Sequence, residues 1–358
     1  MQNKNLYIDI HVLQSVPAAN INRDDAGSPK TVYYGGTLRS RVSSQSWKNA
    51  MRADFNLNPL SDNLGIRSKK VLARLAKLLV DQKADISLED AQKMAEKALD
   101  TIGVKKSTDT LLFISQWQLN NLVKLILSEE GLEQFDKKEL KKAFMENNSL
   151  DLALFGRMVA TNPELNVEGA SQVAHAFSTH EIVPEFDFYT GRDDLQEENN
   201  AGAGMMGTIE YNSSTLYRYA NVNVRELSEN LQGEQLTESI EKFVQSFILS
   251  MPTGKQNSYA NKTLPNYVLV TIRDDTPVNL ASAFEEPVKS KSGYLTQSIK
   301  KLEQEFTETE AFVDKPVKTL VLTTKESSIS QRTNSLNELL NQVAQTIVEV
   351  GSYEDSNN

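Results

Sequence analysis

The chain has 358 residues, 39% of them hydrophobic, and its 48 acidic against 38 basic side chains give a net charge of −10. That is apolar content for one large core or two domains, and the acidic balance argues against a general nucleic-acid coat, whose affinity comes from neutralising phosphates. Cysteine is absent, which excludes disulfides and thiolate metal sites; no stretch approaches the roughly 18 apolar residues of a membrane span, so a cytoplasmic chain with no membrane partner is expected.

In chain order, "LYIDIHV" alternates and predicts a half-buried strand, with Leu6, Ile8, Ile10 and Val12 inward and Tyr7, Asp9 and His11 on a functional-looking outer face. Pro17, Gly27, Pro29, Gly35 and Gly36 then mark a long loop with a short strand over 31–34. "SSQSWKNAMRADF" starts a helix, capped by Ser43 or Ser44, with a Trp47, Ala50, Met51, Phe55 stripe. Residues 68–147 read as an inserted helical subdomain, with stripes at Val71, Leu72, Leu75, Leu78, Leu79 and at Leu119, Leu122, Val123, Ile126. Polar and glycine-rich stretches follow over 156–214, where "QEENNAGAGMMGTIEYNSS" reads as a mobile hairpin or protruding loop.

The strand "LYRYANVNV", the helix "TESIEKFVQSFILSM" and the strand "PNYVLVTIR" come next. Without its insertions this order is the skeleton of a ferredoxin-like βαββαβ sheet, the layout of an RRM, so the fold class is α+β. The last third reads as helices, ending in a frayed tail, "GSYEDSNN".

Charge is sorted along the chain. From Ala26 to Ala53 there are five basic residues and no acid, so that the rest of the chain sums to −15. Arg39 and Arg41 alternate in an extended segment and point to one side, while Lys48 and Arg52 share a helix flank beside free N–H groups. Such a surface suits a polyanion; the plain alternative is a solvated face beside a Trp-anchored helix. Asp24 and Asp25 in "INRDD" offer paired carboxylates for Mg²⁺, or else orient Arg23 or Lys30 and cap a turn.

The remaining motifs are weaker. His175 and His180 would stand about 140° apart on a helix, a poor ligand spacing, and read as satisfied structural histidines. Lys137, Lys138, Lys141 and Lys142 share one side of a helix whose Leu140 and Phe144 pack inward. There is no P-loop, no dinucleotide fingerprint, no nucleophile elbow and no aromatic RNP motif.

Taken together and in this order, "INRDD", "YYGG", "RSRVSSQSWKNAMR", "FGRM", "VAHAFSTH", "DDLQE" and "YRYANVNV" resemble the CasC-type backbone subunit of the type I-E CRISPR Cascade surveillance complex. The resemblance runs from about Leu6 through residues 289–299. It implies an RRM-like palm over 1–60 and 215–300, a helical fingers domain over 61–155 and a thumb hairpin over 156–214; the C-terminal helices and tail over 301–358 are read from pattern alone. It also implies copies stacked head to tail along guide RNA, with the bases left free to pair with target DNA, alongside other Cascade subunits. No catalytic residue, metal or cofactor is implied.

By motif, the resemblance carries over Arg23, Lys30, Arg39, Arg41, Gln45, Lys48 and Arg52 as the RNA backbone grip. Arg157 and Met158 in "FGRM", and Tyr189 with Thr190 in "FYT", match positions where family members wedge a flipped nucleotide; tyrosine stands here where phenylalanine is often found. Lys255 and Gln256 match a loop at the palm's RNA face, and Lys137, Lys138, Lys141 and Lys142 match a finger surface that touches target DNA. Two alternatives stay open: a metal-dependent ribonuclease that matures guide RNA through Asp24 and Asp25, and a protein-only scaffold.

Overall fold

A computed structural model describes residues 5–57, 64–83, 85–105, 111–128, 135–191, 205–233 and 235–355, the last five as backbone alone. The "DDLQE" motif, 193–197, lies outside them. The fold is mixed α/β, with a large mixed sheet. The chain divides into two compact units, 1–51 with 173–221 and 243–358, and 52–172 with 222–242.

The first unit is built on the strand Tyr7–Ala19, whose run Ile8–Leu13 is buried on both faces rather than one. Packing above the sheet explains this. Tyr7–Ala19 is a central strand between Tyr267–Arg273 and Met205–Asn223, and its face that carries Leu13 is covered by a core that includes Leu280, Phe284, Ile299 and Leu302. It pairs antiparallel with Tyr267–Arg273, in the register Tyr7↔Arg273 to Leu13↔Tyr267.

Asp9 and His11, expected on an outer face, are therefore interior and must find partners there. The Tyr219 hydroxyl donates to Asp9 Oδ1 at 2.7 Å and the Val278 N–H to Oδ2 at 3.0 Å. His11 Nδ1 lies 3.0 Å from the Tyr217 hydroxyl. Burial pushes the Asp9 carboxyl up to about 7 and the His11 imidazole down to about 3.

The sheet extends into the last third of the chain, which was expected to be helical. Lys318–Thr323 pairs antiparallel with Tyr267–Arg273, and Arg332–Thr333 pairs with it in parallel. "KTLVLT" is short, β-branched and central, so it carries no helical period to distinguish it. The helix Leu295–Glu308 packs Ile299 and Leu302 into a core with Leu13, Tyr217, Tyr267 and Phe284. The last helix, Leu336–Asp355, continues through part of the expected frayed tail; 356–358 lie outside the described residues.

Within the second unit, four helices lie in the stretch read as helical, 68–147. Val71–Gln82, Leu88–Thr101, Gln116–Ser128 and Lys137–Met145 share a core of Leu75, Leu79, Ala95, Leu119, Leu122 and Phe144. Their stripes close on one another because leucines at i, i+3 and i+4 fall on one face. A two-stranded ladder, Gly65–Ser68 with Leu112–Ser115, joins them; four-residue strands are too short to show a period. Among the described residues no helix is long and apolar enough to cross a membrane.

Candidate nucleic-acid interface

The basic segment begins as a closed loop. Asp24 accepts from the N–H groups of Ala26 and Ser28 at 2.9 and 3.0 Å, so its carboxylate shapes the turn that carries Arg23. Asn22 accepts from the N–H of Ser43 at 2.9 Å, tying this loop to the start of the helix Ser44–Phe55. Among the described residues no group of three or more histidine and acidic side chains is placed to hold a metal.

The strands Thr31–Tyr34 and Thr37–Val42 form a hairpin across Gly35 and Gly36, whose φ of +58° and +76° suit a two-residue turn of the primed type. Gly35 has a second constraint: a Cβ there would lie 1.6 Å from the carbonyl oxygen of Glu285. The hairpin tip is thus seated against backbone, and only glycine fits.

That seating decides the fate of Arg39. Its guanidinium is buried and donates to Thr37 Oγ1 at 2.8 Å and to the carbonyls of Ser178 and Phe284 at 2.9 and 3.0 Å. Arg39, expected in the RNA grip, is therefore a structural clamp between chain segments. Arg41, two residues on, remains at the surface: its Nε donates to the Thr31 carbonyl at 3.0 Å and its Nη1 lies 3.3 Å from His175 Nδ1. His175 is exposed and precedes the strand Ala176–Ser178, so the helical spacing argument for the two histidines does not apply. His180 is buried and satisfied, as expected, by the Glu181 carbonyl and the Thr215 N–H.

The helix Ser44–Phe55 is capped by Ser43, whose Oγ accepts from the Ser46 N–H at 3.3 Å, and its first turn has no acid. Its positive end is left uncompensated, which favours an anion. Gln45 is exposed and Lys48 partly so, while Trp47 and Met51 are buried. Behind Trp47 stands a residue that sequence reading missed. Arg218 is fully buried, paired with no acid among the described residues, its guanidinium 3.9 Å from the Trp47 ring and 2.6 Å from Gln14 Oε1. Burial lowers its pKa to about 9. Only the arginine in "YRYANVNV", at an inward position of a central strand, hints at it.

Lys255 sits in the left-handed region at φ +51°, before the short helix Gln256–Tyr259. The neighbouring Gly254 approaches the first loop so closely that a Cβ would lie 1.9 Å from the Ile21 carbonyl oxygen. Lys255 and Gln256 are thereby held beside the Arg23 loop.

The strand Glu185–Gly191 pairs with the start of Met205–Asn223 in the register Glu185↔Tyr211 to Gly191↔Met205. The part from 205 on of the stretch read as a hairpin or protruding loop is strand; 192–204 lie outside the described residues. Tyr189 faces Gly207, whose missing side chain leaves room for its ring. Thr190 is exposed on the other face, with Phe186, Phe188 and Met206, each about two-thirds exposed. These three were missed, although the alternation in "EFDFYT" marks Phe186 and Phe188.

In the second unit Arg52 and Arg157 depart from expectation. Arg52 Nε donates to Asp151 Oδ2 at 2.9 Å and Nη2 to the Gly65 carbonyl at 2.9 Å, with its guanidinium over Phe113. Arg157 is buried: Nε donates to the Leu165 carbonyl at 3.1 Å, Nη1 to Gln118 Oε1 at 3.1 Å, and the guanidinium stacks on Phe144. Burial lowers its pKa to about 9. Both arginines satisfy interior carbonyls or carboxylates and are structural here. Met158, next in sequence, is 79% exposed.

The helix Lys137–Met145 buries Leu140 and Phe144 as predicted, and Asp136 caps it by accepting from the Lys138 N–H at 2.7 Å. Lys137, Lys138 and Lys142 are exposed, whereas Lys141 pairs with Glu164 at 2.5 Å.

A protein-family model described as CT1975-like protein, of the Cas class, matches residues 8–346. Among solved structures, one similar chain comes from a CRISPR RNA-guided surveillance complex in its pre-nicking state. It is 30% identical at a TM-score of 0.85, with 95% of this chain and 99% of that one covered. Another, from a CRISPR RNA-guided surveillance complex, is 29% identical at a TM-score of 0.64 with the same coverage. No curated protein matches.

Proposed function

The chain belongs to the CT1975-like family of Cas proteins, and from that premise we propose that it is the guide-RNA-binding backbone subunit of a type I-E Cascade complex. Copies stack along the RNA spacer with other Cascade subunits, in the cytoplasm, and present its bases to target DNA. The observation that carries this reading is the 30% identity, over 95% of the chain, to a subunit of an RNA-guided surveillance complex. Protein reads the backbone and base pairing reads sequence.

The site supports the same reading in detail. Arg23, Lys30, Arg41, Gln45, Lys48 and Lys255 lie on a loop, a hairpin, an acid-free helix start and a neighbouring loop of one unit. Strand order supports an RRM-like palm: the strand after the second palm helix lies beside the first strand, which lies beside Met205–Asn223. The Glu185–Gly191 hairpin serves as thumb, with Met158 and Tyr189 wedging flipped nucleotides. The second unit serves as fingers, with Lys137, Lys138 and Lys142 towards target DNA.

The subunit is proposed to be non-catalytic. Incubating the purified protein with Mg²⁺ and repeat RNA should leave the RNA intact; cleavage that Asp25→Ala abolishes would contradict this. The reading as a whole is tested by the nucleic acid that co-purifies. RNA of spacer length, protected from nuclease at regular intervals, is expected. A nucleic-acid-free assembly that survives RNase would instead favour a protein-only scaffold.

A further inference from the structure

We propose that Lys30, Arg41 and His175 form one phosphate-binding cluster in which His175 takes up a proton as the RNA backbone docks. This rests on the RNA-binding reading above, and adds to it a residue and a proton that the reading does not contain. The geometry of one hydrogen bond carries the argument. Arginine can only donate, so in the Arg41 Nη1–His175 Nδ1 contact of 3.3 Å the imidazole nitrogen is the acceptor. Its hydrogen is assigned by that bond to Nε2, and the ring is neutral.

Partial burial, Arg41 and Lys30 all hold His175 below the ordinary histidine value. The two charged groups that act on it, one from the strand Thr37–Val42 and one from the loop before the hairpin, are both cations. A phosphate arriving at this cluster reverses the balance, because a nearby negative charge favours imidazolium. Protonated Nδ1 no longer accepts from Arg41, so Nη1 is released to the phosphate and His175 becomes a second donor. The other two histidines cannot respond in this way. His180 holds two backbone groups with its two ring nitrogens, and His11 is buried against Tyr217 and Tyr219.

The chain has three histidines, so each can be followed by ¹⁵N resonance in the full-length protein. In the free protein the His175 midpoint should lie below the ordinary histidine value. With a single-stranded oligouridylate bound, its midpoint should rise by about one unit, for which affinity should be about three- to sixfold tighter at pH 6 than at pH 8, tenfold being the limit well below both midpoints. His175→Asn keeps an acceptor for Arg41 without the titration; it should lose the difference in affinity between pH 6 and pH 8. Bound RNA with an unmoved His175 midpoint overturns the proposal, as does an unchanged pH dependence in the variant. RNA that fails to bind at any pH overturns the underlying reading along with it.

Discussion

The basic segment 26–53 and the lysine helix Lys137–Met145 carry similar numbers of cations, and the chain uses them differently. In the first, arginine forks are set among carbonyls: Arg39 is wholly enclosed, and Arg41 is held at Nε with its other end at the surface. In the second, ammonium groups stand on flexible stems in solvent, interleaved with Glu139 and paired in one case with Glu164. Cations fixed by backbone bonds present a preorganised surface to a ligand, whereas solvated lysines add field without fixing geometry.

Substitutions can break or sharpen that contrast. The largest effect is expected from Arg39→Ala, which leaves two buried carbonyls unpaired and a void beneath the hairpin. It should cost about 3–5 kcal/mol in denaturant unfolding, and a loss under 1 kcal/mol would mean that the clamp is not structural. Next, Lys30→Ala with Lys255→Ala should leave stability within about 0.5 kcal/mol and weaken single-stranded RNA binding at every sequence. The slope of log affinity against log salt should fall by about 1.4 if each lysine neutralises one phosphate. An unchanged slope would remove both from the interface.

On the other side of the comparison, Lys137→Ala, Lys138→Ala and Lys142→Ala together should spare stability and single-stranded RNA binding. Duplex DNA binding by the assembled complex should weaken and become less salt-dependent. Equal loss on both nucleic acids would erase the distinction between the two surfaces. The smallest effect is expected from Glu164→Gln. Hydrogen bonding and charge from Lys141 lower the Glu164 pKa, so the pair is present above the ordinary carboxylate range and is lost as pH falls. Solvent screens it, so thermal midpoints at neutral pH should not move measurably.

Much of this was legible in the sequence where period and burial coincide. Leu119, Leu122, Val123 and Ile126 face inward because helical spacing leaves them no other face. The acid-free run was legible as a surface for anions, but not which of its arginines would be enclosed. Alternation places Arg39 and Arg41 on one side of a strand; the Ser178 carbonyl and the Phe284–Glu285 backbone, both far along the chain, distinguish them. Arg157 was hidden for a similar reason, since its partners Phe144, Leu165 and Gln118 come from separate turns of the helical unit. His175 was misread because "AHAFSTH" was given a helical period where the chain makes a short strand.

The strand Met205–Asn223 has a mechanical consequence. Nineteen residues at about 3.3 Å each make a continuous beam on the order of 60 Å long. Its inner stretch is buried from Ser214 to Val222, while its outer stretch from Met205 to Tyr211 is clad by the strand Glu185–Gly191. Such a beam is a cantilever: stiff at its root, compliant towards its tip.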